Sequence, residues 1–569
     1  MLFGKTGYMK PRIKEIILVL TALVIPALVK AQPAYISLKY VDPLKKVFKE
    51  AAFFPDQPAL ADVARGEYAS FQFAFRSNAP VHGLQASLRG NTAASAFIGK
   101  GSVGYVGYVG VGRPLADPPT DRLISASGLF PDPIIDTMQS ELPPGCTQPI
   151  WVSVKIPKNI EAGEYHGSLV VTGKTMNKSF SRQVGFTIHV YPVTIDSSSL
   201  WVTQWYQASP LTFGMMNNGK DVPLYSPRYW DLLAVLARKM ADYGQNVSLI
   251  SPLQLTQYRL EKGKYYFDFS RFDRTAAILK TAGALKRIEG GHIAARMGGW
   301  DSDIGVLVPR ITSDTVVLEK RPFADRQAQD FYDQFIPALV AHLKEKGWIG
   351  SYMQHIADEP TDSNAETYAQ IAAFVKKLAP EVPVMDACHT HKLKMDIWVP
   401  QLNFLRDEFH FYRQQQQAGS ELWFYTCMWP QGEYANRFIE QPLIKTRLLH
   451  WINFRYGITG YLHWGFNQWH HGLRPFEETT DRNSEGGSVL PGGDSYIVYP
   501  GYGKLYGSIR LEAMREGIND YALLQMLDRK YPGRAMDICR ETVFDFNKYD
   551  LSILALRDRR KQVLEALSK

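Results

Sequence analysis

The chain has 569 residues, more than one ordinary domain needs, so the sequence predicts a multidomain protein. Aromatic residues make up 12% and charged residues 21%, a composition that excludes an intrinsically disordered protein. The net charge of +8 comes without a basic cluster, which gives no basis for nucleic-acid binding.

The first 31 residues have the pattern of a secretory signal peptide. Five basic residues and one acidic residue accompany an apolar run at 16–29, and Val29 and Ala31 suit the −3 and −1 positions of a cleavage site. The run is shorter than the roughly 20 residues that a membrane-spanning helix needs. We therefore expect cleavage after Ala31, a secreted or periplasmic protein, and no stable membrane insertion afterwards.

Residues 32–196 have the pattern of an all-β domain. Hydrophobic and polar residues alternate at 68–76 and at 151–157, and similar segments follow at 163–171 and 185–190. Short strands of this kind, separated by Gly, Pro and Asn, are typical of a β-sandwich.

Residues 200–500 change to alternating strands and helices. About eight strand–helix repeats can be traced between 200 and 465, which predicts an α/β (β/α)₈ barrel. The C-terminal residues 501–569 are predicted to form a small helical or mixed extension. Its first two helices, at 505–515 and 520–527, are expected to be separated by Gly517-Ile518-Asn519.

The predicted fourth barrel strand ends on two adjacent acids. Tyr352-Met353-Gln354-His355-Ile356-Ala357 leads into Asp358-Glu359-Pro360, and proline cannot continue a strand ladder. Carboxylates at the C-terminal end of a barrel strand lie where such folds carry their chemistry. When two carboxyl groups are held close together, their pKa values separate, so that one is an anion while the other keeps its proton. Asp358 and Glu359 are therefore the candidate catalytic residues.

A second, distant carboxylate is missing from the predicted seventh strand. Retaining glycosidases commonly use a nucleophile on another strand, but residues 426–428 hold no acid and Glu421 lies at the opposite strand end. An adjacent pair suits substrate-assisted hydrolysis, in which the substrate's 2-acetamido oxygen attacks the anomeric carbon. Asp358 would orient the acetamido group, and Glu359 would protonate the leaving oxygen and then activate water.

Aromatic residues are concentrated in the predicted barrel. Eleven of the twelve tryptophans lie between Trp201 and Trp469. Aromatic rings can stack on the apolar faces of sugars, although barrels also bury tryptophan in their cores. From their positions at predicted strand ends, we expect sugar contacts at His292, Tyr425, Trp464 and Asn467.

Cysteine and histidine spacing predicts neither a metal site nor a cofactor. The four cysteines form no CxxC motif. The pairs His389/His391 and His470/His471 lack the spacing of a zinc protease, so we interpret them as surface or pocket residues.

Several motifs resemble glycoside hydrolase family 123 over nearly all of the chain beyond the signal segment. They are Ala64-Arg65-Gly66-Glu67-Tyr68-Ala69-Ser70-Phe71-Gln72, Ile288-Glu289-Gly290-Gly291-His292, His355-Ile356-Ala357-Asp358-Glu359-Pro360, Gly460-Tyr461-Leu462-His463-Trp464 and Ser508-Ile509-Arg510-Leu511-Glu512-Ala513-Met514-Arg515-Glu516-Gly517-Ile518-Asn519-Asp520-Tyr521. The resemblance implies a β-sandwich followed by a (β/α)₈ barrel. It also implies an exo-acting β-N-acetylgalactosaminidase on β-GalNAc-terminated glycans, with Asp358 orienting the acetamido group and Glu359 as acid/base.

Two other hypotheses remain open from the residues alone. The first is a non-catalytic carbohydrate-binding protein, in which the two acids are structural. The second is a glycosidase for sugars without an acetamido group, which would need a further carboxylate from Glu289, Asp386 or Asp494.

Overall fold

The computed structural model describes residues 35–124, 127–138, 141–196, 198–312, 316–482 and 488–569. The predicted signal segment 1–31 lies outside the described residues. Within the described ranges, no helix combines the length and the apolar character needed to cross a membrane.

The strands of the described residues are β1 (Ile36–Val41), β2 (Leu60–Arg65), β3 (Tyr68–Ser77), β4 (His82–Gly90), β5 (Ser102–Val111), β6 (Gly128–Ile135), β7 (Thr147–Lys155), β8 (Gly163–Thr175), β9 (Lys178–Thr194), β10 (Trp201–Gln204), β11 (Val247–Leu249), β12 (Gln257–Glu261), β13 (Lys264–Asp268), β14 (Arg287–His292), β15 (Ala294–Arg296), β16 (Ile304–Ile311), β17 (Val316–Arg321), β18 (Tyr352–His355), β19 (Met385–Ala387), β20 (Ile397–Val399), β21 (Glu421–Tyr425), β22 (Gly460–His463), β23 (Asp481–Arg482), β24 (Val489–Leu490), β25 (Tyr499–Gly501), β26 (Lys504–Ser508), β27 (Val543–Asp545) and β28 (Lys548–Tyr549). The α-helices are α1 (Pro210–Met215), α2 (Pro227–Asp242), α3 (Pro252–Leu255), α4 (Ser270–Ala282), α5 (Arg326–Glu345), α6 (Ala365–Leu378), α7 (Leu402–Asp407), α8 (Phe409–Gln417), α9 (Leu443–Tyr456), α10 (Ile509–Lys530), α11 (Arg534–Thr542) and α12 (Ile553–Ser568). Short 3₁₀ helices cover Ala96–Lys100 and Ile349–Ser351.

The N-terminal part of the chain is β-rich, as the alternating pattern predicts. One sheet has the strand order β1-β3-β7-β5-β6-β26-β25, and a second has the order β2-β9-β8-β4. Side chains from both sheets pack in one buried cluster, in which Phe71 and Ile150 of the first sheet join Leu169 and Ile188 of the second. Burying the alternate residues of each strand in this way holds the two sheets together.

The first sheet contains two strands from far along the chain. Strand β26 pairs antiparallel with β6, and β25 pairs with β26 at the edge of the sheet. The sequence does not predict this addition, because the pairing joins segments that are more than 300 residues apart in the chain.

The middle of the chain forms two parallel sheets. Strands β10-β22-β21-β20-β19 form one, and β11-β14-β18 form the other. The strand–helix alternation predicted from the sequence is therefore present, with the strand before Asp358 as the fourth in chain order. The prediction of a single closed (β/α)₈ ladder is not confirmed, because the eight parallel strands divide into these two sheets. One isolated parallel bridge, Gln354 to Val384, lies between β18 and β19.

An antiparallel insertion follows β14. Strands β15, β16 and β17 form a separate three-stranded sheet before α5 begins. This insertion, which the sequence pattern does not predict, carries Arg296 at the end of β15.

Helix α10 corrects the prediction of two helices separated at Gly517. The structure has one continuous helix, Ile509–Lys530. Gly517 lies where a Cβ atom would be 2.4 Å from the carbonyl oxygen of Arg447 in α9. The glycine therefore permits close helix packing and does not end the helix, which the sequence alone cannot distinguish.

Buried ion pairs connect the C-terminal helices to the N-terminal sheets. Arg560 in α12 lies 2.6 Å from Glu67 and 2.9 Å from Asp520. Asp520 also lies 2.7 Å from Arg447. Each charge has a partner, as buried ions require.

Candidate active site

The backbone between β18 and the two acids is hydrogen-bonded to a carboxylate of the next parallel strand in the chain. Asp386 in β19 accepts hydrogen bonds from the backbone N–H groups of Ile356 at 2.8 Å and Ala357 at 3.3 Å. Glu359 then has a φ of +44°, a left-handed conformation that is uncommon for residues with a Cβ. Such backbone geometry is concentrated at functional sites.

The carboxylate of Glu359 is held by two side chains. Tyr425 at the end of β21 donates its hydroxyl proton to Glu359 Oε1, and His389 Nε2 lies 3.4 Å from the same oxygen. Arg296 donates to the backbone carbonyl of Glu359 at 2.6 Å. Burial alone would raise the pKa of Glu359, but the bonds from His389 and Tyr425 and the charge of Arg296 hold that pKa below its usual value.

Asp358 is exposed to solvent on one side. Partial desolvation by the surrounding protein, followed by the negative charge of Glu359, raises the pKa of Asp358 to about 6, although His292 opposes the shift. The two adjacent carboxyl groups thus differ in pKa. In the free protein Asp358 is the one with the raised pKa, and Glu359 is the more readily ionised.

A buried network lies behind the pair. His355 contacts Asp386 through Nδ1 at 2.6 Å and Glu289 through Nε2 at 2.7 Å, and all three side chains are fully buried. Burial would lower the pKa of His355, but the charges and hydrogen bonds of Asp386 and Glu289 raise it to about 10. The imidazole is therefore charged at neutral pH.

Glu289 and Asp386 are fully engaged in this network. Glu289 also accepts hydrogen bonds from Thr203 at 2.6 Å and Trp205 at 2.7 Å. Asp386 also accepts one from Tyr368 at 2.5 Å. Neither carboxylate is open to a sugar in this arrangement.

Asp494 is also fully buried. Its Oδ2 accepts a hydrogen bond from the indole nitrogen of Trp464 at 3.2 Å. Burial raises the pKa of Asp494 to about 7 despite the charge of Arg437. The buried carboxyl group of Asp494 therefore fixes the indole ring of the partly exposed Trp464.

Two family models cover most of the described chain. The glycoside hydrolase 123 catalytic domain matches residues 215–527, and the glycoside hydrolase 123 N-terminal domain matches residues 58–173. The chain belongs to glycoside hydrolase family 123. The resemblance found in its motifs is therefore confirmed, and the chain is a glycosidase by family.

Comparison with solved structures supports the same fold. A family 123 glycoside hydrolase from Clostridium perfringens aligns with a TM-score of 0.70 and 15% identity, covering 94% of this chain and 97% of that one. Two other structures align with scores too low to support a structural argument. One is a Parabacteroides merdae β-glucuronidase, with a TM-score of 0.24 and 11% identity, covering 76% of this chain and 47% of that one. The other is an endo-β-1,4-mannanase from Thermotoga petrophila, with a TM-score of 0.31 and 11% identity, covering 51% of this chain and 73% of that one. A comparison with curated protein sequences finds no significant match.

Of the four expected sugar contacts in this family 123 chain, two lie beside the catalytic pair. Tyr425 bonds to Glu359. His292 packs against His355 with ring centroids 4.7 Å apart, and its charge acts on Asp358.

The other two expected contacts have different surroundings. Trp464 is partly exposed and bonds to Asp494. Asn467 is fully buried, and its amide exchanges hydrogen bonds with the backbone of Gln207 at 2.8 and 2.9 Å. The Asn467 side chain is therefore already satisfied within the protein.

Two residues at the site are not among the predicted contacts. His389 follows β19 by two residues, so its strand-end position was the available signal. Arg296 belongs to the antiparallel insertion, where no strand–helix periodicity marks it.

One group of side chains has the composition of a metal site. Ligand-type atoms of His292, His355 and Asp386 lie within 4.8 Å of one another. Both ring nitrogens of His355, however, are hydrogen-bonded to carboxylates. A charged imidazole does not offer a lone pair, so these residues do not fit a bound cation.

Proposed function

We propose that the chain is an exo-acting β-N-acetylhexosaminidase that prefers β-linked GalNAc and retains anomeric configuration through substrate assistance. The observation that supports this proposal is the adjacent pair Asp358 and Glu359 beside carboxylates that are already engaged. Glu289, Asp386 and Asp494, the alternative nucleophiles, are all fully buried. With these three carboxylates buried, a retaining reaction takes its nucleophile from the substrate's own acetamido group.

In the proposed first step, the acetamido oxygen attacks the anomeric carbon while Glu359 gives a proton to the leaving oxygen. The carboxylate of Asp358 accepts a hydrogen bond from the acetamido N–H and stabilises the positive charge that develops on the acetamido group. In the second step, Glu359 takes a proton from water, which opens the cyclic intermediate and leaves the β-anomer. Glu359 is then protonated again.

The substrate class is proposed from a relative in the same family, and the location from the N-terminal sequence. The C. perfringens relative is described in terms of glycolipid glycan hydrolysis. We propose β-GalNAc-terminated glycans of glycolipids or glycoproteins as substrates of this chain. The predicted signal at 1–31 supports export to the periplasm or the medium.

The proposed function also favours a closed barrel as the arrangement of the eight parallel strands. The Gln354–Val384 bridge supports continuity between β18 and β19. On the other side, the backbone N–H of Asn246 donates to the carbonyl of Val202 in β10 at 3.2 Å. A barrel would bring all eight strand ends to one face, where enzymes of this architecture bind substrate.

The test is hydrolysis of nitrophenyl β-GalNAc, β-GlcNAc and β-Gal by the protein from Gln32 onward. We expect turnover of the acetamido sugars, with β-GalNAc preferred, and inhibition by a thiazoline that mimics the cyclised intermediate. Glu359→Gln should lose most of this activity, while Glu408→Gln, which changes a partly exposed acid on another loop, should keep it.

Turnover of β-Gal would contradict substrate assistance. Glycan binding without hydrolysis, unchanged in Asp358→Asn, would favour a carbohydrate-binding protein.

A further inference from the structure

Trp300 is the most exposed tryptophan of the protein, with 56% of its surface open to solvent. It lies in the turn between β15 and β16, within the antiparallel insertion that follows β14. A single exposed apolar side chain is ordinary on a protein surface, so the surroundings of the ring decide what it can do.

The turn that carries Trp300 is held by side chains on both sides of it. Asn364, a buried residue immediately before α6, donates to the carbonyl oxygen of Trp300 at 3.2 Å, and Arg296 Nε donates to the same oxygen at 3.0 Å. Ser302 donates its hydroxyl and its backbone N–H to the carbonyl of Gly299 at 2.7 and 3.0 Å. The backbone therefore fixes where the indole ring projects.

Arg296 connects the indole ring to the catalytic pair. The guanidinium carbon of Arg296 lies 3.8 Å from the centroid of the Trp300 ring, a cation–π contact. The same guanidinium group donates to the backbone carbonyl of Glu359 at 2.6 Å. A single guanidinium group thus joins the exposed ring to the backbone of the residue that we propose as the general acid.

The position of the general acid decides which part of a substrate lies near this ring. In the proposed mechanism Glu359 protonates the leaving oxygen, and the second sugar of the glycan begins at that oxygen. An exposed group beside Glu359 therefore faces the second sugar, whereas Asp358 acts on the acetamido group of the terminal sugar. Aromatic rings can stack on the apolar face of a pyranose ring.

Resting on the proposed function, we propose that Trp300 is a specificity-determining residue whose indole ring binds the apolar face of the sugar to which the terminal GalNAc is linked. The ring is open to water in the free protein and is covered by that sugar in the complex. Because the turn and Arg296 already hold the ring in place, binding orders few additional side-chain torsions. The enzyme therefore favours GalNAc attached to another sugar.

The kinetic test compares Trp300→Ala with the wild-type protein on the disaccharide GalNAc-β-1,3-Gal. The substitution keeps the backbone carbonyl that Arg296 and Asn364 bind. We expect KM to rise about tenfold and kcat to stay within about twofold, because the contact with the second sugar is made equally in the ground state and the transition state. The dissociation constant of the GalNAc thiazoline, which has no second sugar, should not change.

Two further variants serve as controls. Trp300→Phe keeps an aromatic ring at the same position and should recover most of the affinity for the disaccharide. Tyr531→Ala removes another exposed aromatic ring with a cation over its face, Lys530 at 5.4 Å, at the end of α10. It should behave as wild type on both the disaccharide and the thiazoline.

An unchanged KM of Trp300→Ala for the disaccharide would overturn the proposal. A fall in kcat together with weaker thiazoline binding would also overturn it, since that result indicates a ring that only keeps Arg296 in position. A rise in KM for Trp429→Ala alone would place the second sugar beside the other exposed tryptophan, which follows β21 by four residues. A wild-type protein that neither cleaves the disaccharide nor binds the thiazoline would instead contradict the proposed function.

A binding measurement tests the contact without turnover. In Glu359→Gln, calorimetry should give a dissociation constant for the disaccharide about tenfold lower than that for GalNAc alone, because only the disaccharide covers the indole ring. Adding Trp300→Ala should remove this difference and leave the affinity for GalNAc as it was. Equal affinities for the two sugars in Glu359→Gln, or a difference that survives the loss of the ring, would overturn the proposal.

Discussion

His355 lies 2.6 Å from Asp386, and the same carboxylate holds the backbone immediately before the catalytic pair. The charged imidazole therefore acts on the site through Asp386 and does not itself face the cleft, since His355 is fully buried. The position of Asp358 and Glu359 therefore depends on the buried ionic contact between His355 and Asp386.

Replacing His355 with Gln should lower the thermal midpoint and disturb the catalytic turn. The change leaves Glu289 and Asp386 buried without their cation, a loss that typically costs about 3–5 kcal/mol. His410→Gln changes an exposed histidine of α8 and is the matched control, with little expected effect. Equal midpoints for His355→Gln and wild type, measured by calorimetry, would contradict the stabilising role.

The same contact predicts a pH dependence of stability. The pKa of His355 is raised from its unfolded value of 6.5 to about 10 by Asp386 and Glu289. Because the folded state holds the proton more tightly, this stabilisation is fully present below pH 6.5 and is lost as the pH rises towards 10. The thermal midpoint difference between wild type and His355→Gln should therefore shrink between pH 7 and pH 10. A difference that stays constant over that range would show that His355 is not charged in the folded protein.

Activity should fall on the acidic side as Asp358 gains a proton. The pKa of Asp358 is raised to about 6 by partial desolvation and by Glu359. The ionised form is the one that can stabilise a positive acetamido group, so kcat/KM should decline as the pH falls through 6. The measurement is a pH profile of nitrophenyl β-GalNAc hydrolysis, in which Asp358→Asn should be slow at every pH and lack this limb. The exposed control Asp407→Asn should retain it, and a limb that persists in Asp358→Asn would assign it to another group.

Arg296 should matter more to turnover than its place in an insertion suggests. Its guanidinium bonds to the carbonyls of Glu359 at 2.6 Å and Trp300 at 3.0 Å, so it fixes the backbone of the general acid. Arg296→Ala should lower kcat about tenfold or more, an effect typical of a misplaced catalytic group. Arg310→Ala removes an exposed arginine from the same antiparallel sheet, where it pairs with the partly exposed Glu319, and should be nearly neutral. Similar kcat values for the two variants would rule out this positioning role.

Local sequence patterns predict the elements around the site well. Helix α6 ends at Leu378, two residues before Pro380, and helix α9 ends at Tyr456 before Gly457 in a left-handed cap, so both ends coincide with local stop signals in the sequence. The strand end before Asp358 was predictable from the proline that follows the acids.

Long-range contacts were not predictable from one sequence. Nothing local indicates that β26 joins the N-terminal sheet, or that His355 lies between Glu289 and Asp386. The Tyr425–His389 contact likewise depends on the spacing of β19 and β21 across the sheet. Strand-end position was enough to nominate Tyr425, but it could not show which atoms meet.

Helix packing at Gly517 provides a final test. A Cβ atom there would lie 2.4 Å from the carbonyl oxygen of Arg447 and 3.3 Å from its Cα, both of them backbone atoms that cannot rotate away. Gly517→Ala should therefore push α10 from α9 and destabilise the protein by about 1–3 kcal/mol, in spite of the better helix propensity of alanine. Gly350→Ala is the matched control, because no heavy atom lies within 4 Å of its added Cβ. A lower thermal midpoint for Gly517→Ala alone would support the packing role of this glycine, whereas a higher midpoint would show that α9 and α10 are not in close contact at this position.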